Sequence, residues 1–301
     1  MGCDEPPPTV VTGEAMGTRY HVTLGGHRGS SDAIDAEVAR LLDAIEDEAS
    51  QWRSASWVSG FNASRATEPV AVPGHVWAML VVAERVWRDS GGALDMTIGP
   101  VVELWGFGRS PSPHEPQDAE VEQALERCGM DKLVIDHQAR TIRKLDPSVT
   151  LDFSAVAKGY AVDRIAEQLD ARGVDDYLIA FGGEVRAKGD GPDGEGWAVA
   201  VTRRNGSARA GAARRVVLKN AAVATSGGGQ QQRAAPGGDA VTHLIDPRTG
   251  RPIRHGASPV TVRADSAVLA DAWATALSAT PTDEREAMAR RGGVEWMDTA
   301  E

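Results

Sequence analysis

Apolar and polar residues alternate through "TRYHVTLGG" (18–26), which predicts a half-buried strand closed by a Gly-Gly turn. The period then lengthens. Ile34, Val38, Leu41, Leu42 and Ile45 recur at three and four and predict an amphipathic helix over 32–49. A second helix follows Pro73, with Val76, Leu80, Ala83 and Trp87 on one face, and stops at Gly91-Gly92. Five of the next eighteen residues in "GGALDMTIGPVVELWGFG" are glycine, so 91–108 is expected to be an exposed-backbone loop rather than a helix. Residues 118–128 predict a short helix closed by Gly129, and "KLVIDHQARTIRKL" predicts a hairpin turning at "DHQAR". "SVTLDF" reads as a strand running straight into the helix "SAVAKGYAVDRIAEQLDARG", whose buried stripe is Val162, Ile165, Ala166 and Leu169, with Gly173 as its end. Further strands are expected at "DYLIAF", "GWAVAVT", "RRVVLK", "AAVATS", "THLI" and "PVTVRA", and a late helix at "SAVLADAWATAL". Strands in clusters between a few long helices indicate an α+β fold rather than a regular βαβ alternation.

Composition narrows the function classes. The 301 residues, 42% of them hydrophobic, are enough for a large core, in one domain or two interleaved lobes. A net charge of -11, with no long Lys/Arg cluster, argues against a nucleic-acid partner. Cys3 and Cys128 form neither a CxxC nor a Cys/His cluster, so neither zinc nor a disulfide framework is indicated. Cys128 follows Val121, Ala124 and Leu125 at helical spacing and reads as a small core residue. No apolar run reaches the length of a membrane span. "MGCDEPPPTV" reads as a flexible tether over 1–10, followed by one domain over 11–301. It resembles the mature end of a bacterial lipoprotein, with Cys3 as the lipid-bearing residue, and is equally compatible with an unstructured added start.

Four stretches can carry chemistry, and each has an ordinary structural alternative. In "LADAWATAL", Asp271 and Thr275 stand four residues apart and project together. These hard oxygen donors suit Mg2+ or Ca2+, and also make an ordinary solvated face. In "LDFSAVAKG", Asp152 ends a strand, Ser154 is placed to cap the following helix, and Lys158 stands near its N-terminus. That arrangement suits a phosphate as well as it suits a solvated lysine. "AFGGEVRAKG" and "ATSGGGQQQR" are glycine-dense turns that admit a close ligand or simply close hairpins; neither is a Walker A loop or a Rossmann fingerprint. In "VTHLIDPRTG", Pro247 presets a turn and Gly250 allows positive φ, so His243 is expected at a strand end leading into a rigid loop. A single histidine there serves structure as readily as catalysis.

In this order the stretches resemble the ApbE-like flavin transferases, enzymes that transfer FMN from FAD to protein. The resemblance runs through "MGTRYHV" (16–22), "FN" (61–62), "GGALDMTIGPVVELWGFG" (91–108), "LDFSAVAKGYAVD" (151–163), "FGGEVRAKG" (181–189), "AVATSGG" (222–228), "HLIDPRTGRPI" (243–253) and "VTVRADSAVLADAWATAL" (260–277). It implies an ApbE-like α+β fold of mixed sheets and packed helices in two interleaved lobes. It also implies that FAD lies across the glycine-rich loops with Mg2+ at its pyrophosphate. On the matching positions, Met16, Trp52, Ala93, Leu94, Asp95, Asp152, Lys158 and Ile245 would contact the nucleotide. The metal would take the carbonyl of Ala155 with Asp271 and Thr275, and His243 would be the general base.

The implied reaction joins FMN to a Thr or Ser hydroxyl of an acceptor flavoprotein and releases AMP. The same site would serve an FAD pyrophosphatase, and a non-catalytic flavin-binding lipoprotein is the reading from another class. The family's acceptors imply the periplasmic side of the bacterial inner membrane, with a membrane tether through Cys3. Three features depart from the family pattern. Gly228-Gly229-Gln230 stand where an acidic residue and a tyrosine are usual, Trp52 replaces a tyrosine that often stacks near the flavin, and the early stop after "GGVEWMDTAE" suggests a missing last strand.

Overall fold

The computed structural model describes residues 8–26, 30–109, 115–201, 214–227, 232–234, 240–253 and 259–298. In chain order it begins with β1 (Thr9–Ala15), β2 (Thr18–Leu24), α1 (Ser31–Ala49), α2 (Trp57–Ala63), β3 (Val70–Ala71) and α3 (Gly74–Asp89). Next come α4 (Gly99–Leu104), α5 (Asp118–Leu125), β4 (Leu133–Asp136), β5 (Thr141–Lys144), α6 (Ala157–Ala171), β6 (Tyr177–Phe181) and β7 (Glu184–Lys188). The strands β8 (Trp197–Val201), β9 (Arg214–Leu218), β10 (Ala221–Ser226), β11 (Gln232–Ala234), β12 (Ala240–Thr242), β13 (Ile245–Asp246) and β14 (Arg251–Pro252) follow. The chain closes with β15 (Val260–Ala264), α7 (Ala267–Ser278), α8 (Thr282–Gly292) and β16 (Glu295–Asp298).

The fold is α+β, built on a seven-stranded sheet in the order β1-β2-β6-β7-β10-β15-β16. The chain leaves this sheet after Leu24 and returns to it at Tyr177, and the excursion builds α1 to α6 and the small sheet β3-β5-β4. The two lobes are therefore interleaved in sequence. Where mixed sheets were expected, every ladder among the described residues is antiparallel.

Local chemistry explains the helices. Ser30 caps α1, its hydroxyl accepting from the Asp32 N–H at 3.3 Å, and Ile34, Val38, Leu41, Leu42 and Ile45 are buried beneath it. The first turn of α3 is capped from α1, where Glu48 Oε2 accepts from the His75 and Val76 N–H groups at 2.7 and 3.3 Å. Ten of the twelve residues of α7 are buried. Such a helix has no solvent face, and its alanines let α6, β10 and β15 close around it.

Several expectations need correction. Residues 91–108 contain a helix, α4, whose Val101 packs with Trp105, Val121 and Val241 in a second small core. "SVTLDF" joins no ladder, and α6 begins only at Ala157, so Lys158 lies in its first turn. Ser154 does not cap that helix; its hydroxyl donates to Asp152 Oδ1 instead. "THLI" is broken at His243 between β12 and β13, because Asp246 to Gly250 fold into the tight turn of the β13–β14 hairpin. The helix expected over 118–128 stops at Leu125, leaving Cys128 beyond it but buried, its thiol pushed up to about 12 chiefly by that burial. β16 pairs with β15 and forms one edge of the seven-stranded sheet. β1 begins at Thr9, inside the stretch read as a tether, while residue 3 and residues 228–231 lie outside the described residues. β1, α2, β3, β7, β11, β14, α8 and β16 had no expectation of their own.

Candidate functional site

All twelve candidate residues line one of two adjoining cavities, of about 650 Å³ and about 140 Å³. The larger lies within the ~300–1,000 Å³ usual for ligand sites. Met16, Trp52, Asp152, Lys158 and His243 border the larger cavity. Ala93, Leu94, Asp95, Ala155, Ile245, Asp271 and Thr275 border the smaller, together with Asp152, Lys158 and His243 again. The last three therefore stand on the wall common to both.

Two turns supply one side of the site. Met16 holds φ at +48° and Gly17 at +73° in the β1–β2 hairpin, the double positive φ that suits tight hairpins but strains a residue with a Cβ. Trp52 stays 60% exposed at the rim, which leaves its ring face available for stacking. Across the cavity His243 occupies the bend after β12, its ring edge-on to Phe107 with centroids 6.3 Å apart.

The floor is clamped from a distance. Lys144 is buried in β5, and its ammonium donates to the carbonyls of Phe61 and Ser64 at 2.9 and 2.7 Å, closing the end of α2. α2 carries Asn62, whose amide donates to the Leu151 carbonyl at 2.8 Å and accepts from the Leu151 N–H at 2.7 Å. This pair fixes the strandless segment that presents Asp152. Asp152 Oδ2 accepts from the Gln51 side chain at 3.1 Å, and Oδ1 from the Ser154 N–H at 2.9 Å.

α6 and α7 meet through a two-rung ladder. Asp163 accepts from the N–H groups of Ala267 and Val268, each at 2.8 Å, so it caps α7 from outside while Arg186 pairs with it. One turn away, the Gly159 N–H donates to Asp271 Oδ2 at 3.0 Å. That N–H would return to the Ala155 carbonyl in a regular helix, so the ladder leaves that carbonyl without its helical donor beside Asp271. A Cβ on Gly159 would stand 2.4 Å from the Ala267 carbonyl oxygen. We expect Gly159→Ala to cost about 1–3 kcal/mol and lower Tm by roughly 3–10 °C. An unchanged melting curve would show that the helices separate freely here.

The electrostatics are dominated by buried acids. Asp95, Asp152, Glu184 and Asp271 all line the smaller cavity, and Lys158 is the one Lys or Arg among its described lining residues. The Asp95 oxygens are engaged within the protein, by Thr97 at 2.7 and 2.5 Å and by Met130 at 3.3 Å, and burial pushes its carboxyl up. Its side chain therefore shapes the loop that carries Ala93 and Leu94. Burial raises Asp271 too, against the pull of the Lys158 ammonium. Burial also works against the Lys158 charge, but Asp271 and Glu184 outweigh it and hold the pKa above the ordinary lysine value. Lys158 Nζ donates to Glu184 Oε1 at 3.0 Å.

A small divalent cation fits this chemistry. No three His, Cys, Asp or Glu side chains form a metal cage among the described residues. The set offered is one buried carboxylate, the Thr275 hydroxyl (3.2 Å from Ser226 Oγ) and the Ala155 carbonyl, on one cavity wall. Few protein oxygens, with positions left for water and phosphate, suit Mg2+ better than Zn2+. Glu184, Asn62, Gln51 and Asp163 were missed as contributors. Three of them lay in quoted blocks, "FN", "LDFSAVAKGYAVD" and "FGGEVRAKG", but nothing local reveals what a side chain will meet 26, 89 or 104 residues away.

Residues 16–297 match the family model described as the ApbE family. A FAD:protein FMN transferase of Salmonella typhimurium is 33% identical over 306 residues, 98% of this chain and 87% of its own length. One from Vibrio cholerae is 34% identical over 280 residues, 92% of this chain and 83% of its own. Among solved structures, the apo flavinyl transferase ApbE of Pseudomonas stutzeri superposes with a TM-score of 0.86 at 32% identity, covering 98% of this chain and 92% of that one. The flavin transferase ApbE of Vibrio cholerae gives a TM-score of 0.83 at 32% identity, covering 96% and 92%.

Proposed function

The chain belongs to the ApbE family and acts as a transferase of FMN from FAD to protein, and from that premise we propose that it joins FMN to a Thr or Ser hydroxyl of an acceptor flavoprotein, releasing AMP with the help of Mg2+. The observation that carries this reading is the common wall of Asp152, Lys158 and His243 between a wide cavity and a narrow, acid-lined one. The wide cavity suits the bulk of a dinucleotide. The narrow one, with buried acids facing a single lysine, suits a phosphate only in company with a cation.

Asp271, Thr275 and the Ala155 carbonyl would hold the Mg2+, which when bound supplies charge neutralisation at the phosphoryl oxygens and at the departing AMP. His243 takes the proton of the acceptor hydroxyl as that oxygen bonds to the phosphorus of the FMN half. The bridging P–O bond breaks and its electrons leave with AMP. Lys158 neutralises phosphate charge, and Trp52 offers an aromatic face to the nucleotide. No helix among the described residues is long and apolar enough to cross a membrane. For location, "MGCDEPPPTV" supports a lipid tether at Cys3 on the periplasmic side of the inner membrane.

The test is incubation of the purified protein with FAD and Mg2+, with and without a threonine-bearing acceptor domain. AMP together with denaturation-resistant flavin fluorescence on the acceptor is expected. AMP with only free FMN would make the protein a pyrophosphatase, and bound but uncleaved FAD would make it a carrier.

A further inference from the structure

Glu184 has no place in the reaction as derived above, yet it opens onto the metal-side cavity with 3% of its surface exposed. A carboxylate so buried needs a partner. Oε2 takes the Gly183 N–H at 3.1 Å, and Oε1 takes the Lys158 ammonium at 3.0 Å. The β6–β7 turn is shaped around this pair. Gly182 holds φ at +72°, and a Cβ there would lie 3.0 Å from Lys158 Cδ and 3.1 Å from Glu184 Oε2. The lysine stem thus passes over the turn and ends on Glu184, on the sheet side of the cavity, while Asp271 attracts the same ammonium from α7.

Charge then decides what Lys158 can do. With both carboxylates ionised and no cation, one ammonium faces two negative charges and has no net attraction left for a pyrophosphate. A divalent cation at Asp271 removes one of the two claims on the ammonium. We propose that Glu184 is a positioning residue that keeps Lys158 engaged until a metal arrives, and so makes FAD binding depend on Mg2+. The inference rests on the transferase reading, because Lys158 must meet the FAD phosphates for Glu184 to matter. By linkage, FAD and Mg2+ then strengthen each other's binding by the same factor, and Glu184 supplies part of that coupling.

The experiment measures FAD affinity by flavin fluorescence, without acceptor, in EDTA and in saturating MgCl2, for the parent, Glu184→Gln and Glu184→Asp. The glutamine keeps the shape and an acceptor oxygen for Lys158 but removes the charge. Its FAD affinity in EDTA should rise about fivefold or more, and the ratio of Mg2+ to EDTA affinities should shrink by a similar factor. The shorter aspartate keeps a charge but reaches Lys158 less well, so its shift should have the same sign and be smaller. It also decides the matter if the glutamine variant does not fold. A purely structural role predicts the opposite sign in EDTA, because a loosened site binds more weakly under both conditions. EDTA affinities equal to or below the parental value in the folded variants would overturn the proposal. A parent that binds no FAD with Mg2+ present would instead overturn the transferase reading, and this inference with it.

Discussion

His243→Ala is expected to lower the rate of FMN transfer about 10²–10⁴-fold, the usual contribution of a positioned acid–base group. FAD affinity should change little, because the imidazole sits on the wall between the cavities and its packing partner is Phe107. The physical reason is the acceptor's chemistry. An unactivated Thr hydroxyl is a weak nucleophile near neutral pH, and histidine's ordinary pKa near 6.5 suits it to take that proton. Single-turnover appearance of covalent flavin on the acceptor, alongside an FAD titration, separates binding from chemistry. Added imidazole should restore part of the rate if only the base is missing. Transfer at the parental rate in the alanine variant would remove His243 from the mechanism.

Asp271→Ala should be comparably damaging, by a different route. The carboxylate is 2% exposed, accepts the Gly159 N–H and faces Lys158, so its loss breaks the second rung of the α6–α7 ladder as well as the cation site. Removing one partner from a buried ionic arrangement costs about 3–5 kcal/mol, which should be visible in denaturant unfolding. Asp271→Asn separates the two effects, because the amide oxygen still accepts from Gly159 while the charge is gone. The asparagine variant should melt near the parent yet need at least about tenfold more Mg2+ for half-maximal AMP release, since loss of even an outer partner of a metal costs ~10–100-fold. An unchanged Mg2+ requirement would move the metal to other residues. Loss of stability without loss of Mg2+ response would make Asp271 a helix clamp alone.

Local periodicity was a good guide wherever one face of an element meets the core. α1 spans Ser31–Ala49 against an expected 32–49, and its predicted stripe is the buried one. α4 was hidden because glycines dominate its neighbourhood, and because the partners that bury Val101, such as Val121 and Val241, are distant in sequence. "THLI" looked continuous because its apolar content is that of a strand; Leu244 and Ile245 pair instead with Ile253 and Pro252 of the following hairpin, and the strand breaks at His243. The start of α6 was misplaced for a similar reason. Ser154 bonds to Asp152, an alternative open to any Ser beside a carboxylate.

The sequence by itself determined what short-range geometry can carry. That covers the faces of the long helices, the turns set by Pro and Gly, and the joint projection of Asp271 and Thr275 from one helical face. Only the tertiary structure decided the balance of charge. The sequence left Lys158 equally an anion-binding or a solvated lysine near a helix start, and the fold surrounds it with carboxylates from α7 and β7. The Ala155 carbonyl loses its helical donor only because Gly159 meets Asp271 across 112 residues. Spacing along the chain cannot report either effect, because Coulomb forces and hydrogen bonds depend on distance through space, and the packing of α6, α7 and the sheet sets those distances.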